Sequence, residues 1–83
     1  MRILYFAWVR ERIGVADEEV SPPSGVTTVA ALIDWLGGTS AGHAQAFADR
    51  GRLRAAVDGD FVGLDAPLGA AREVAIFPPV TGG

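Results

Sequence analysis

Few of the 83 residues can do chemistry, and the clearest candidates stand at the very end of the chain. Gly82-Gly83 carries an α-carboxylate on two residues without Cβ, which can thread a narrow channel and bring the terminal carbonyl against a nucleotide phosphate. Any side chain there would obstruct that approach. A bare Gly-Gly is also what a frayed terminus or a linker looks like. Here it follows Pro78-Pro79 and Val80-Thr81. Proline fixes φ and lacks the backbone donor, so residues 78–83 read as a stiff, extended tail with Gly83 as its reactive tip.

The other chemistry-bearing residues point nowhere so definite. His43 is the one histidine, lies in an Ala/Gly-rich segment and reads as a solvated side chain. Asp58 and Asp60 flank Gly59, where turn chemistry explains them better than a hydrolytic carboxylate pair. Asp17, Glu18 and Glu19 read as a solvated acidic run, and no metal site is expected from this residue set. Cysteine is absent, and all seven basic residues are arginine. Disulfides, thiolate sites and cysteine nucleophiles are therefore excluded. Net charge is -3, which argues against binding nucleic acid, because phosphate neutralisation needs Lys and Arg in excess. No apolar run approaches the roughly 20 residues of a membrane span, and no secretory leader opens the chain. A cytoplasmic protein with no membrane association and no bound cofactor is expected. With 49% hydrophobic and 20% charged residues, one packed domain over 1–83 is expected.

The elements that must position the tail follow from periodicity. Ile3 to Val9 is a continuous apolar run, predicted as a central strand whose second face must be shielded by either the domain itself or a partner. Arg10-Glu11-Arg12 and Gly14 read as a charged turn. Val15 to Val20, ahead of Pro22-Pro23, reads as a short edge strand. Thr27 or Thr28 caps a helix in which Val29, Leu32, Ile33 and Leu36 share one face, with Trp35 sealing its flank and Gly37-Gly38 ending it in a left-handed turn. A short second helix is expected between Thr39 and Gly51. Leu53 to Val57 and Phe61 to Leu64 flank Asp58-Gly59, a two-residue hairpin signal. Glu73 to Phe77 is the last strand, parallel to the first because the helix makes a crossover. The fold class is thus α+β: a mixed five-stranded sheet packed on one main helix, in the ubiquitin-like β-grasp order.

Phe77-Pro78-Pro79-Val80-Thr81-Gly82-Gly83 resembles the C-terminal signature of the small subunits of molybdopterin synthase, the MoaD-like sulfur carriers. Tyr5-Phe6-Ala7-Trp8-Val9-Arg10-Glu11 with Gly14 is similar to that family's opening segment, and the two motifs stand at the family's usual spacing. One stretch departs: Gly69-Ala70-Ala71-Arg72 replaces an acidic turn common in the family, with only Glu73 retained. The resemblance implies a carrier rather than an enzyme. Its partners would be a ubiquitin-activating-like adenylyltransferase, which uses ATP to adenylate Gly83, and a persulfide donor, which converts the adenylate to a thiocarboxylate. The large synthase subunit would complete the set, in a heterotetramer with two of each. Sulfur would pass to cyclic pyranopterin monophosphate in molybdenum cofactor synthesis. Pro78, Pro79, Val80, Thr81 and Gly82 would enter the partner's active centre.

Phe6, Trp8, Arg10 and Phe77 are the expected partner interface, the apolar ones as an uncovered sheet face and Arg10 as a rim contact. The absence of Lys and Cys fits a GC-rich coding bias, and it also leaves the N-terminal amine as the one amine an acyl adenylate could meet. Two other readings share the sequence. One is a sulfur carrier for thiamine or another thio-cofactor, and the other is a β-grasp interaction module with an inert tail.

Overall fold

In the computed structural model, which describes residues 1–79, strands and helices alternate through the first half of the chain. The order is β1 (Arg2–Tyr5), α1 (Ala7–Ile13), β2 (Asp17–Glu19), α2 (Val29–Gly37), α3 (Ala41–Ala46), a 3-10 turn (Arg50–Arg52), β3 (Arg54–Val57), β4 (Asp60–Val62) and β5 (Glu73–Phe77). The strands form one mixed sheet in the order β2-β1-β5-β3-β4. β1 and β5 lie parallel at its centre, with Leu4 opposite Ala75 and Tyr5 opposite Ile76. This is the β-grasp arrangement expected from the element order.

The expected first strand is too long. β1 stops at Tyr5, and Phe6 leads into α1 rather than continuing the ladder. The reason is that its partner runs out: Tyr5 pairs with Ile76, and one residue beyond Ile76 the chain reaches Phe77 and two prolines with no N–H to offer. The chain reverses through Ala7, at φ 53, and the remaining apolar residues change period. Val9 is buried and Ile13 packs against the core one turn later, as helical spacing requires. Arg10, Glu11 and Arg12 therefore form the second half of a helix, not a turn. Gly14 does adopt the predicted positive φ, 97°, but as the cap of α1, where its N–H bonds to the Arg10 carbonyl.

α2 follows its sequence pattern. Thr28 Oγ1 accepts from the Ala31 N–H at 3.1 Å, and Val29, Leu32, Ile33 and Leu36 are buried. The N–H groups of Val29 and Ala30, which no helical carbonyl can reach, donate to Ala66 and Leu64 instead. Trp35 packs at the core margin. The expected left-handed end is absent: Gly38 has φ -89, and the helix closes through a tightened bond from the Gly38 N–H to the Trp35 carbonyl. Nor does one helix cover the sheet. α1 and α3 contribute Val9 and Ala46 to the same core as Ile3, Tyr5, Val74 and Ile76.

The hairpin forms as predicted, with Asp58 at φ 49 and Gly59 at φ 88. Asp58 does more than turn the chain. Its Oδ1 accepts from the backbone N–H groups of Arg72 and Glu73, each at 3.0 Å, and ties the hairpin to the start of β5.

Candidate functional site

Residue alternation gives the sheet two unlike faces. On one, Ile3, Tyr5, Ala55, Val74 and Ile76 point into the core and are at most 1% exposed. On the other, the register places Leu4 beside Ala75, Ala75 beside Ala56, and Ala56 beside Phe61, a row crossing four strands. Two small residues in its middle leave a trough between larger side chains. That trough is a shallow, mostly apolar groove of about 670 Å³, bounded by Leu4, Phe6, Phe61 and Phe77 and continued by Pro78 and Pro79. The rings of Phe61 and Phe77 lie 5.7 Å apart, tilted by 49°. Phe6 is 47% exposed and Phe61 83%. Large aromatic groups left in water along one groove favour burial against another surface.

The predicted site residues therefore separate. Phe6, Phe77, Pro78 and Pro79 come together along the groove. Trp8 does not join them: it stands on α1, where the guanidinium groups of Arg12 and Arg52 each lie 4.9 Å from its ring centroid. Arg10 is exposed on the same helix, and its carbonyl serves the Gly14 cap. Neither lines the groove. Val80, Thr81, Gly82 and Gly83 lie outside the described residues. Phe61 escaped the sequence reading. The Asp58-Gly59 turn does pair Phe61 with Ala56, but that Ala56 meets Ala75 is a long-range fact.

A second set of polar residues was misread. Glu18 and His43, both expected to be solvated, meet in a part-buried network. Glu18 Oε2 accepts from the Tyr5 hydroxyl and from His43 Nε2, each at 2.6 Å. Ser40 Oγ stands 2.6 Å from His43 Nδ1 and accepts from the His43 backbone N–H at 3.1 Å. Nε2–H of the ring donates to Glu18, and Ser40 is the hydrogen-bond partner of Nδ1, so both ring nitrogens are engaged. Burial alone would push the Glu18 carboxyl up, but the hydrogen bonds from Tyr5 and His43, with the attraction of the ring, outweigh it and hold the carboxyl below its ordinary range. Burial, then the bond to Glu18 and its charge, push the Tyr5 phenol well above its ordinary value.

Serine, histidine and glutamate are also the residue types of a hydrolytic triad. Ser40, however, caps α3, and neither apolar groove on the sheet touches it. The network fastens the edge strand β2 to β1 and α3. Among the described residues no group of three or more His, Asp or Glu side chains is placed to hold a metal ion, and no helix is long and apolar enough to cross a membrane.

Comparison with known proteins agrees with this geometry. The molybdopterin synthase sulfur carrier subunit of Escherichia coli K12 is 43% identical over 83 residues, 100% of this chain and 99% of that one. The crystal structure of SAMP1 from Haloferax volcanii is similar at TM-score 0.72 and 28% identity, covering 100% of this chain and 98% of that chain. A Pyrococcus furiosus protein assigned as subunit 1 of a molybdopterin converting factor gives TM-score 0.72 at 31% identity, with 95% of each chain covered. The ThiS family model matches residues 3–83, and the chain, a ubiquitin-like β-grasp protein, belongs to the ThiS family.

Proposed function

We propose that this chain is the sulfur carrier subunit of a molybdopterin synthase. The observation that carries the reading is the 43% identity to a protein of that name along the whole chain, tail included. The groove supports it, because the last strand, the two prolines and three phenylalanines form one continuous apolar surface beside the origin of the tail.

The chain is then a reactant carrier and not a catalyst. An adenylyltransferase of the ubiquitin-activating kind joins the Gly83 carboxylate to AMP from ATP, releasing pyrophosphate. The terminal sulfur of a persulfide displaces AMP to give an acyl disulfide, and a thiol of the donor system then cleaves its S–S bond, releasing the thiocarboxylate and leaving a disulfide on the donor. The charged tail, residues 78–83, enters the large subunit, which supplies the catalytic side chains, and its sulfur passes to cyclic pyranopterin monophosphate. The carrier itself binds no cofactor. In the heterotetramer, two carriers serve two large subunits in the cytoplasm.

The sheet face bearing Phe6, Phe61 and Phe77 docks both partners in turn, burying apolar surface that water now covers. Arg10 and Trp8, standing on α1 away from the groove, act at the rim. Rim charges set association rate and salt dependence more than final affinity.

A carrier for thiamine or another thio-cofactor fits the family match equally, and it is the second reading because the 43% identical relative bears the molybdopterin synthase name. Incubation with ATP, an activating enzyme and a persulfide source separates both readings from an inert interaction module. The expected product gains the mass of one oxygen replaced by sulfur at Gly83, and removal of Gly83 abolishes it. A chain lacking Gly83 that still supports pterin sulfuration would sink the proposal.

A further inference from the structure

We infer that, among its described residues, the folded chain offers no competent nucleophile to an activated carboxyl at Gly83, its own or that of a second copy, so that the acyl group passes to an external sulfur donor. This rests on the reading of Gly83 as the adenylated residue. An acyl adenylate is a mixed anhydride. Attack by an amine forms a C–N bond, breaks the bond from the carbonyl carbon to the phosphate oxygen, and releases AMP and a proton. A thiolate or imidazole reacts in the same way.

The chain has no cysteine, and its seven basic side chains are all arginine, whose guanidinium stays protonated and does not attack. Among the described residues four groups remain that are an amine, an imidazole or a hydroxyl hydrogen-bonded to a side-chain base, and the other Ser and Thr hydroxyls there have no such base to activate them. The single imidazole, on His43, is 9% exposed and has both nitrogens engaged, with Ser40 and Glu18 each at 2.6 Å. The Tyr5 hydroxyl is enclosed in the same cluster, 1% exposed and donating to Glu18. The Met1 ammonium donates to the Val20 carbonyl at 3.1 Å and lies 3.9 Å from Glu19 Oε2. The Val20 N–H returns a bond to the Met1 carbonyl at 2.8 Å, so the residue is stitched to the end of β2 from both sides.

Ser40 is the fourth group, a hydroxyl hydrogen-bonded to a base. Its Oγ already accepts the N–H that caps α3, so attack through that oxygen would strip the helix of its cap. Composition thus removes the strongest nucleophiles, and the fold occupies these four. The Tyr5, Glu18, His43 and Ser40 cluster, which ties β1, β2 and α3 together, thereby gains a chemical consequence.

The test uses acetyl adenylate, a free acyl donor of the same chemical class, on the full-length chain at neutral pH, with adducts read by intact mass and peptide mapping. The folded chain should acetylate at Met1 and His43 at least about tenfold more slowly than the same chain in urea, where both groups are released. Arg72→Lys, an exposed substitution that keeps the charge, should take up one acetyl group readily. With ATP and an activating enzyme but no sulfur donor, the wild type should form no carrier-carrier adduct, and Arg72→Lys should form amide-linked dimers. Rapid acetylation of folded wild type at Met1, His43 or Ser40 would overturn the inference. So would wild-type dimers, or an Arg72→Lys chain no more reactive than the parent. A terminus that never takes adenylate removes the carrier reading instead, and the acetylation rates still decide the question of inertness.

Discussion

The two faces of the sheet are built from the same five strands, yet they are put to opposite uses. Ile3, Tyr5, Val74 and Ile76 face three helices and are closed to solvent, whereas Leu4, Ala75, Phe61 and Phe77, one residue out of phase with them, face outward. Alternation along each strand makes this separation possible, since neighbouring side chains never share a face. Burying an aliphatic side chain contributes about 1.5–3 kcal/mol, so the closed face carries the stability. The open face can change without unfolding the chain, and its aromatic groups are available to a partner.

Substitutions on the two faces should therefore split cleanly. Ile76→Ala removes a fully buried side chain from the central strand and should cost about 2–5 kcal/mol. In a domain this small each kcal/mol lowers Tm by roughly 4–8 °C, which thermal denaturation reads directly. Phe61→Asp should change stability by no more than about 0.5 kcal/mol, because that ring is 83% exposed. It should nevertheless weaken assembly with the large synthase subunit by about 30-fold or more, as loss of an interface anchor does. Unchanged assembly in titration calorimetry would break the contrast between the faces.

Smaller effects test what holds the closed face in register. A Cβ at Gly42 would stand 2.6 Å from the Arg12 carbonyl oxygen, a backbone atom that cannot swing aside. Gly42→Ala should force α1 and α3 apart and cost about 1–3 kcal/mol in denaturant titration. Asp58→Ala deletes the acceptor of two backbone N–H groups and should cost about 1–3 kcal/mol. Asp58→Asn, which keeps an acceptor oxygen and tolerates positive φ, should recover most of that loss. The smallest effect is pH-dependent. The Glu18 carboxyl is held below its ordinary range in the folded state, so its contribution is complete above the unfolded value of about 4.3 and is lost as pH falls through the folded one. The gap in Tm between wild type and Glu18→Gln should thus be widest near neutrality and should shrink below about pH 4.

How much of this was legible in the residues depends on how local the cause is. α2 was readable because its cap and its apolar stripe lie within one stretch, and the hairpin because Asp58-Gly59 carries its own geometry. The break after Tyr5 was not. An apolar run satisfies strand and helix equally, and the arbiter was the length of β5, some seventy residues further along the chain. Val9 and Ile13, with Trp8 and Arg12, did show helical spacing, a signal masked by the run before them. Glu18 and His43 gave no sign of each other, since 25 residues separate them and their pairing depends on where α3 lands against β2.

By itself, then, the amino-acid order determined the β-grasp, the central parallel pair of strands and the Pro-Pro-led Gly-Gly tail, because periodicity, caps, turns and prolines act over a few residues. Only the tertiary structure decided that Phe61 joins Phe6 and Phe77, that Trp8 does not, and that the lone histidine is enclosed. Each of those outcomes turns on which distant strand or helix supplies the neighbour, and no short-range preference encodes it.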